Sequence, residues 1–449
     1  MTGFPFALQQ KPDHGGPLPE AVDCVVIGGG VIGVTAALFL RRRGLSVLLA
    51  EKGRIAAEQS SRNWGWVRVQ GRDPAEIPIA LEARRLWDAL DRACGGRCGL
   101  AVSGVSYLAR DGAEMDRYAQ WQALGRAHGI DCVLWDRAAL RARMPSDRGD
   151  WAGALHTASD LRAEPWQAVP QIARLAAEEG ALIRERCAVR GLDLAAGRIA
   201  AVLTEAGRVR CGAVVLAGGA WSRLFLRRHG VDIPQLSVRA SVAATGPLPP
   251  VFDGAAADHR LAFRRRADGG YTIAPSGFSE LFLGPDAFRS LRAYWPVIRA
   301  GGEYDAHLRG PAPRHFPDGW GTPRRWAPDR PGPFEACRIL DPAPNAARLD
   351  RALAGFAAVF PDLGPVPLRA RWAGMIDVLP DLVPVVDHVP DLPGLVLATG
   401  MSGHGFGIGP AFGRIVADLV AGRPPGHDLA RFRFGRFSDG TRPRPGPAL

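Results

Sequence analysis

The sequence predicts an α/β protein (α+β overall) in which a Rossmann-like nucleotide-binding domain is interrupted by a second domain on a mostly antiparallel sheet. Three observations carry this. "VDCVVIGGGVIGVTAALFLRRRGLSVLLAEK", 22–52, has the strand, glycine-loop, helix, strand order of a parallel β-α-β unit. "GLVLATGMSGHGFGIGPAFGRIVADLVAG", 394–422, repeats the strand, glycine turn, helix order some 370 residues later. Between them lie hairpin patterns such as "RRRADGGYTIAPSG", 264–277, with Asp268-Gly269-Gly270 as the turn. At 449 residues the chain exceeds one simple core, so two domains or one discontinuous pair are expected.

In the first unit, "DCVVI" is a short apolar run ended by glycines, the pattern of a buried parallel strand. Gly28, Gly30 and Gly33 form G-x-G-x-x-G. Their separate tasks are a tight turn, close backbone approach to a pyrophosphate, and close helix–strand packing. The helix that opens with Val31 and Ile32 offers free N–H groups and a positive dipole end to phosphates. Glu51 closes the second strand, with Lys52 beside it, and can accept hydrogen bonds from a ribose diol. An acid there disfavours a 2′-phosphate and leaves FAD or NAD.

Composition removes several function classes. Apolar content of 47% and charged content of 22% fit a globular chain. No apolar run reaches the roughly 18 residues of a transmembrane helix, and "MTGFPFALQQKPDHGG" lacks a secretory pattern. A cytoplasmic protein is expected. The seven cysteines are scattered, and "CGGRC", 94–98, has no second pair to complete a zinc site, so no metal is expected. The net charge of +11 is spread along the chain without interleaved stacking motifs, which argues against nucleic acid and leaves peripheral membrane contact open. There are two lysines, Lys11 and Lys52, so a mechanism needing a lysine in a substrate pocket is nearly excluded.

The residues after the second strand separate FAD from NAD. Instead of further β-α-β units comes "GRIAAEQSSRNWGWVRVQGRD", 53–73. Here the chain resembles the D-amino acid oxidase family of FAD-dependent oxidoreductases, which includes glycine oxidase, sarcosine oxidase and D-amino acid dehydrogenases. Ser60, Ser61, Arg62, Asn63 and Gly65 match that family's flavin-contacting loop. In "RCAVRGLDLAAGRIAAVLTEAGRVRCGAVVLAGGAWS", 186–222, the resemblance implies adenine near Val189. It also implies a turn at Ala217, Gly218, Trp221 and Ser222, one residue longer than usual. Gly403, His404, Gly405, Phe406 and Gly407 match the "GHGF" turn against the flavin ring, and the helix expected to begin around Ile408–Pro410 would face the flavin pyrimidine.

The implied layout is an FAD-binding domain at 20–93, 151–225 and 373–435, and a substrate domain at 94–150 and 226–372. "PAEIPIALEARRLWDALDRACG", 74–95, has helical spacing at Leu81, Leu86 and Leu90. The stretch 285–335, rich in Pro, Gly, Arg and Trp, reads as a long surface excursion, a lid or an interface.

The resemblance implies oxidation of a C–N bond of an amine or N-substituted amino acid: hydride passes to flavin N5 and the imine hydrolyses. O2, a quinone or another electron-transfer acceptor would reoxidise the flavin. No base is evident, and a desolvating pocket favours the neutral amine that hydride transfer needs. Three positions depart from the family. "RWAGMIDVLPD" puts Ile376 where many members carry a carboxylate-clasping arginine, leaving Arg68, Arg338 or Arg371 to approach from elsewhere. Gly374 replaces the cysteine that attaches FAD covalently in sarcosine oxidases, so non-covalent FAD follows. Phe282 stands where a lysine assists O2. Candidate pocket residues are Trp64, Trp66, Arg68, Tyr271, Trp372 and His404. Asp377 and Asp381 read as turn residues. A 2-hydroxy-acid dehydrogenase on the same fold, or a flavin-bearing assembly protein, are the alternative readings.

Overall fold

The computed structural model describes residues 4–277, 279–299, 304–307, 312–441, 444 and 446. Strand β1 (Cys24–Ile27), helix α1 (Val31–Arg42) and strand β2 (Val47–Ala50) form as the first apolar runs require. β1 and β2 pair in parallel, and all eight of their residues are buried. Strand alternation sends Cys24 and Val26 into one hydrophobic core with α1, and Val25 and Ile27 into another on the opposite face. A strand buried on both sides has no polar face to show, which is why "CVVI" reads as a continuous apolar run.

These strands belong to a six-stranded sheet. Its order is Val385–His388, Leu395–Thr399, Ala213–Leu216, β1, β2, Leu182–Arg184. Only the Val385–His388 edge is antiparallel. Helices α1, Ile77–Ala93, Pro165–Glu178 and Gly405–Val420 share the hydrophobic core on one face. On the other face lies an antiparallel three-stranded sheet, Val189–Ala195, Arg198–Thr204 and Gly207–Arg210.

Among the described residues the second large sheet has ten strands and is mostly antiparallel, with parallel pairs only between Ala255–Ala257 and Val105–Ala109 and between Ser279–Phe282 and Tyr304–His307. Its longest strands, Leu236–Pro247 and Leu368–Val378, run antiparallel and set Ala240 against Gly374. The chain is thus an α/β protein with one mixed, mainly parallel sheet and one mostly antiparallel sheet.

Two local expectations change. The C-terminal helix begins at Gly405, before Ile408, and carries Pro410 inside it. Packing decides the start. A Cβ on Gly409 would lie 2.8 Å from Val31 Cγ2, and one on Gly413 would lie 2.1 Å from Thr35 Oγ1. The glycines let this helix lie against α1, and that contact winds the run despite its low helix propensity. In Ile77–Ala93 the buried face is Ile77, Ile79, Ala80, Ala83, Trp87 and Leu90, while Leu81 and Leu86 are half-buried. Within 285–335 the chain forms helices Pro285–Arg289 and Leu291–Arg299, with Phe288, Leu291, Trp295, Ile298 and Trp320 exposed. Positions 300–303 and 308–311 of that stretch lie outside the described residues. No helix among the described residues is long and apolar enough to cross a membrane.

Candidate functional site

The glycine loop is built by contact, not only by flexibility. Gly28 has φ +110°, a backbone region open to glycine, and a Cβ there would come 2.4 Å from the Ala217 carbonyl. A Cβ on Gly33 would meet the Gly28 carbonyl at 1.9 Å, so Gly33 serves helix–strand packing and does not line the cavity. Gly30 caps α1 without a side-chain hydrogen bond, and Ser60 Oγ accepts from Val31 N at 2.8 Å. At the end of β2, the Glu51 carboxylate accepts from Gly29 N and Gly53 N, both at 2.7 Å. Burial pushes its pKa up to about 7. Lone pairs remain on that carboxylate for a diol.

One cavity of about 520 Å³ runs from this loop to the second sheet. Of the positions expected to hold a cofactor, Gly28, Gly30, Val31, Ile32, Glu51, Lys52, Ser60, Arg62, Asn63, Val189, Ala217, Gly218, Trp221, Gly374 and Gly403 to Gly407 all line it. Ser61 and Gly65 support it from behind. Trp166 Nε1 donates to the Ser61 carbonyl at 3.1 Å, and Gly65, at φ +79°, lets the chain turn where a Cβ would meet Ala163 O at 2.5 Å. Lys52 is engaged by the Glu58 carboxylate at 2.6 Å and lies over the Trp221 ring. Arg62 holds the Ala373 carbonyl and Asp341. No cysteine lines the cavity, and all seven are buried free thiols. Among the described residues no group of His, Cys, Asp and Glu could hold a metal.

The cradle, the unfilled acceptor sites of Glu51 and the long cavity fit a flavin adenine dinucleotide. Its adenosine end would lie by Glu51 and Val189, its pyrophosphate by Gly28–Ile32, and its ring by Gly374 and Gly403–Gly407. Asp377 anchors the floor: it accepts from Gly400 N (2.6 Å), Gln235 Nε2 (3.0 Å) and Thr399 Oγ1 (3.2 Å). It is therefore a fold-holding acid, as is Asp381, which is paired with Arg436.

Beyond the ring end the cavity is walled by aromatic groups. Trp64 and Trp66 meet edge to face at 5.3 Å, and Tyr107 follows at 6.5 Å from Trp66. The Trp66 Nε1 proton is buried without a partner. Arg68 lies over the Tyr107 ring and donates to the Gln70 carbonyl. Burial, then Arg72 and Arg68, holds the His404 pKa well below its ordinary value, so its imidazole stays neutral.

Two expected pocket residues lie elsewhere. Tyr271 is in the core of the second sheet, where its hydroxyl accepts from Val251 N at 2.9 Å and its ring packs on Phe356. Trp372 shares its strand face with Gly374 and Ile376 but lies further along the strand, outside the cavity lining, where it donates to the Arg62 carbonyl and packs against Trp166 and Phe4. Phe282 likewise sits in a core, stacked on His307, and does not line the cavity. Of the three alternative arginines, Arg338 is held by Glu205 and Arg371 by Asp350. Arg68 alone of the three reaches the cavity. Sequence reading missed Arg72, Glu76 and Tyr107. Arg72 lies on the same loop as Arg68, four residues on, and that spacing was the available signal.

The family described as FAD dependent oxidoreductase (DAO) matches residues 23–419. The L-amino acid deaminase of Proteus myxofaciens, solved in complex with anthranilate, is similar at 29% identity and TM-score 0.89, over 97% of each chain. A D-amino acid dehydrogenase of Paramagnetospirillum magneticum is 25% identical over 92% of this chain and 98% of that protein. The mitochondrial sarcosine dehydrogenase of Homo sapiens is 23% identical over 93% of this chain, which spans only 42% of that protein's length.

Proposed function

Because the chain belongs to the DAO family of FAD-dependent oxidoreductases, we propose that it oxidises the C–N bond of an amino acid or N-substituted amino acid, with hydrolysis of the resulting imine. The observation that carries this reading is one continuous cavity: a dinucleotide cradle at one end, and an aromatic wall with a cavity-facing arginine at the other. Bound FAD would supply the two-electron acceptor for a hydride from the carbon bearing nitrogen. Likeness to an L-amino acid deaminase over nearly the whole chain supports an amino acid over a plain amine.

Each residue has a physical task in this reading. Arg68 binds the substrate carboxylate through a charge-assisted hydrogen bond. Trp64, Trp66 and Tyr107 exclude water, which disfavours the ammonium form and yields the neutral amine. Neutral His404, at the start of the helix Gly405–Val420, adds no positive charge that would repel a developing substrate cation. The N-terminus of that helix would favour negative charge on FAD bound beside it. FAD is held non-covalently, O2 or a quinone-type acceptor takes the electrons, and the protein works in the cytoplasm.

Anaerobic titration of the yellow holoprotein with L- and D-amino acids, N-methyl amino acids and their decarboxylated amines tests this. Bleaching of the flavin band by one carboxylate-bearing class, and not by the matching amines, is expected. Bleaching only by 2-hydroxy acids, or by nothing, would overturn the reading.

A further inference from the structure

The loop that presents Arg68 brings a second guanidinium to the cavity. Arg72 lines the same cavity and is 3% exposed. Its Nη1 has no hydrogen-bond partner, Nη2 reaches only the His404 carbonyl at 3.5 Å, and Nε donates to the Arg68 carbonyl at 3.3 Å. A guanidinium carries five donors and no acceptor, so burial without acceptors is costly. The nearest acid is Glu76, one helical turn on, with an oxygen 3.9 Å from Nη1. That separation is too long for a hydrogen bond, and neither Glu76 oxygen accepts one from any described group.

The surroundings make room for this arginine at the ring end. A Cβ on Gly407 would lie 3.4 Å from Arg72 Nη2 and 3.0 Å from the Trp66 carbonyl, so the backbone at Gly407 runs directly against this guanidinium. The acids that line the cavity among the described residues are Glu51, Glu58 and Asp377. Each is bonded toward the cradle or floor: Glu51 by Gly29, Glu58 by Lys52 and Trp221, Asp377 by Gly400. The aromatic-walled end of the cavity therefore holds two arginines and, among the described residues, no lining acid.

We propose that Arg72 is a second anchor for the substrate carboxylate beside Arg68, and that Glu76 is the counter-charge with which that carboxylate competes. This rests on the reading above and names the residues that would select amino acids over amines. Glu76 is faced by Arg72 and Arg68 from the preceding loop, by Asp73 from its own turn, by Arg431 from the C-terminal segment and by His404 from the neighbouring helix. Burial raises its pKa to about 7. Below that pH Glu76 is neutral and Arg72 is free to bind an anion. Above it the ionised carboxylate competes, so carboxylate binding weakens as pH rises through about 7.

The test uses holoprotein and two ligands of one shape, benzoate and benzamide, followed by perturbation of the flavin spectrum at pH 6 and pH 8. Wild type should bind benzoate better than benzamide, and more tightly at pH 6. Arg72→Gln should weaken benzoate roughly ten- to a hundred-fold, the range of a charged hydrogen bond, and leave benzamide unchanged. Glu76→Gln should tighten benzoate at pH 8 and remove the pH dependence. Equal weakening of both ligands by Arg72→Gln, or weaker benzoate binding in Glu76→Gln, would overturn the proposal. So would a wild type that does not prefer benzoate. Should Arg72→Gln yield no holoprotein, Glu76→Gln decides alone. Neither comparison needs turnover, so a failure of the amine panel with a positive benzoate result would overturn the reaction and not the anchor.

Discussion

Glu51 shows how one residue joins sequence, electrostatics and function. Its position after the second strand is that of an expected ribose acceptor, and two backbone N–H groups hold it in a buried place. Burial outweighs those bonds and the Lys52 charge, and its folded pKa rises to about 7 from 4.5. A raised acid contributes stability that is fully present below its unfolded pKa and is lost as pH rises through the folded value. The apoprotein should therefore lose up to about 3 kcal/mol at this site between pH 5 and pH 8. Urea unfolding of wild type and Glu51→Gln at both pH values checks this: the stability difference should shift in favour of the variant at pH 8. Arg72 marks the limit of residue-level reading. Its importance comes from unfilled donors in a cavity, and hydrogen-bond satisfaction is a property of the folded surroundings. Tyr271 lies outside the cavity because a strand's two faces are told apart only once its partners are known, and Trp372 because Phe4 and Trp166 cover it at a point of its strand beyond the cavity.

Among the elements, β1, α1 and β2 were legible because apolar period, glycine spacing and chain order agree at each level. The hairpin at 264–277 was legible too, and its strands Leu261–Arg265 and Gly270–Pro275 flank the expected turn. The start of Gly405–Val420 was not, because long-range contact with α1 decides it. Gly413 is the sharpest point of that contact, where a Cβ would lie 2.1 Å from Thr35 Oγ1 and 2.8 Å from Ala36 N. Gly413→Ala should cost about 1–3 kcal/mol by overpacking. It should also weaken FAD retention, since the first turn of that helix lines the cavity. Thermal unfolding and flavin content after desalting measure the two effects. A stable variant that keeps its flavin would show that the two helices can separate without moving the ring end of the site.

For the whole molecule, the site depends on segments that are distant in the chain. The cradle comes from residues near 30, its roof from near 217, its floor from near 376 and 400, and the aromatic wall from near 65 and 107. Sequence motifs exposed the cradle, roof and floor because a cofactor with fixed geometry demands glycines at fixed spacing. The substrate end has no such demand: arginines and aromatic rings can enter from any strand, and only the fold brings Trp66, Tyr107 and Arg68 together. Nitrogen release in a single anaerobic turnover decides whether this assembled cavity oxidises a carbon–nitrogen bond. With an acyclic amino acid that bleaches the flavin, one equivalent of ammonia, or of primary amine from an N-substituted substrate, is expected per flavin reduced. Bleaching without release of nitrogen would contradict it and leave the oxidation of a carbon–oxygen bond as the chemistry of the site.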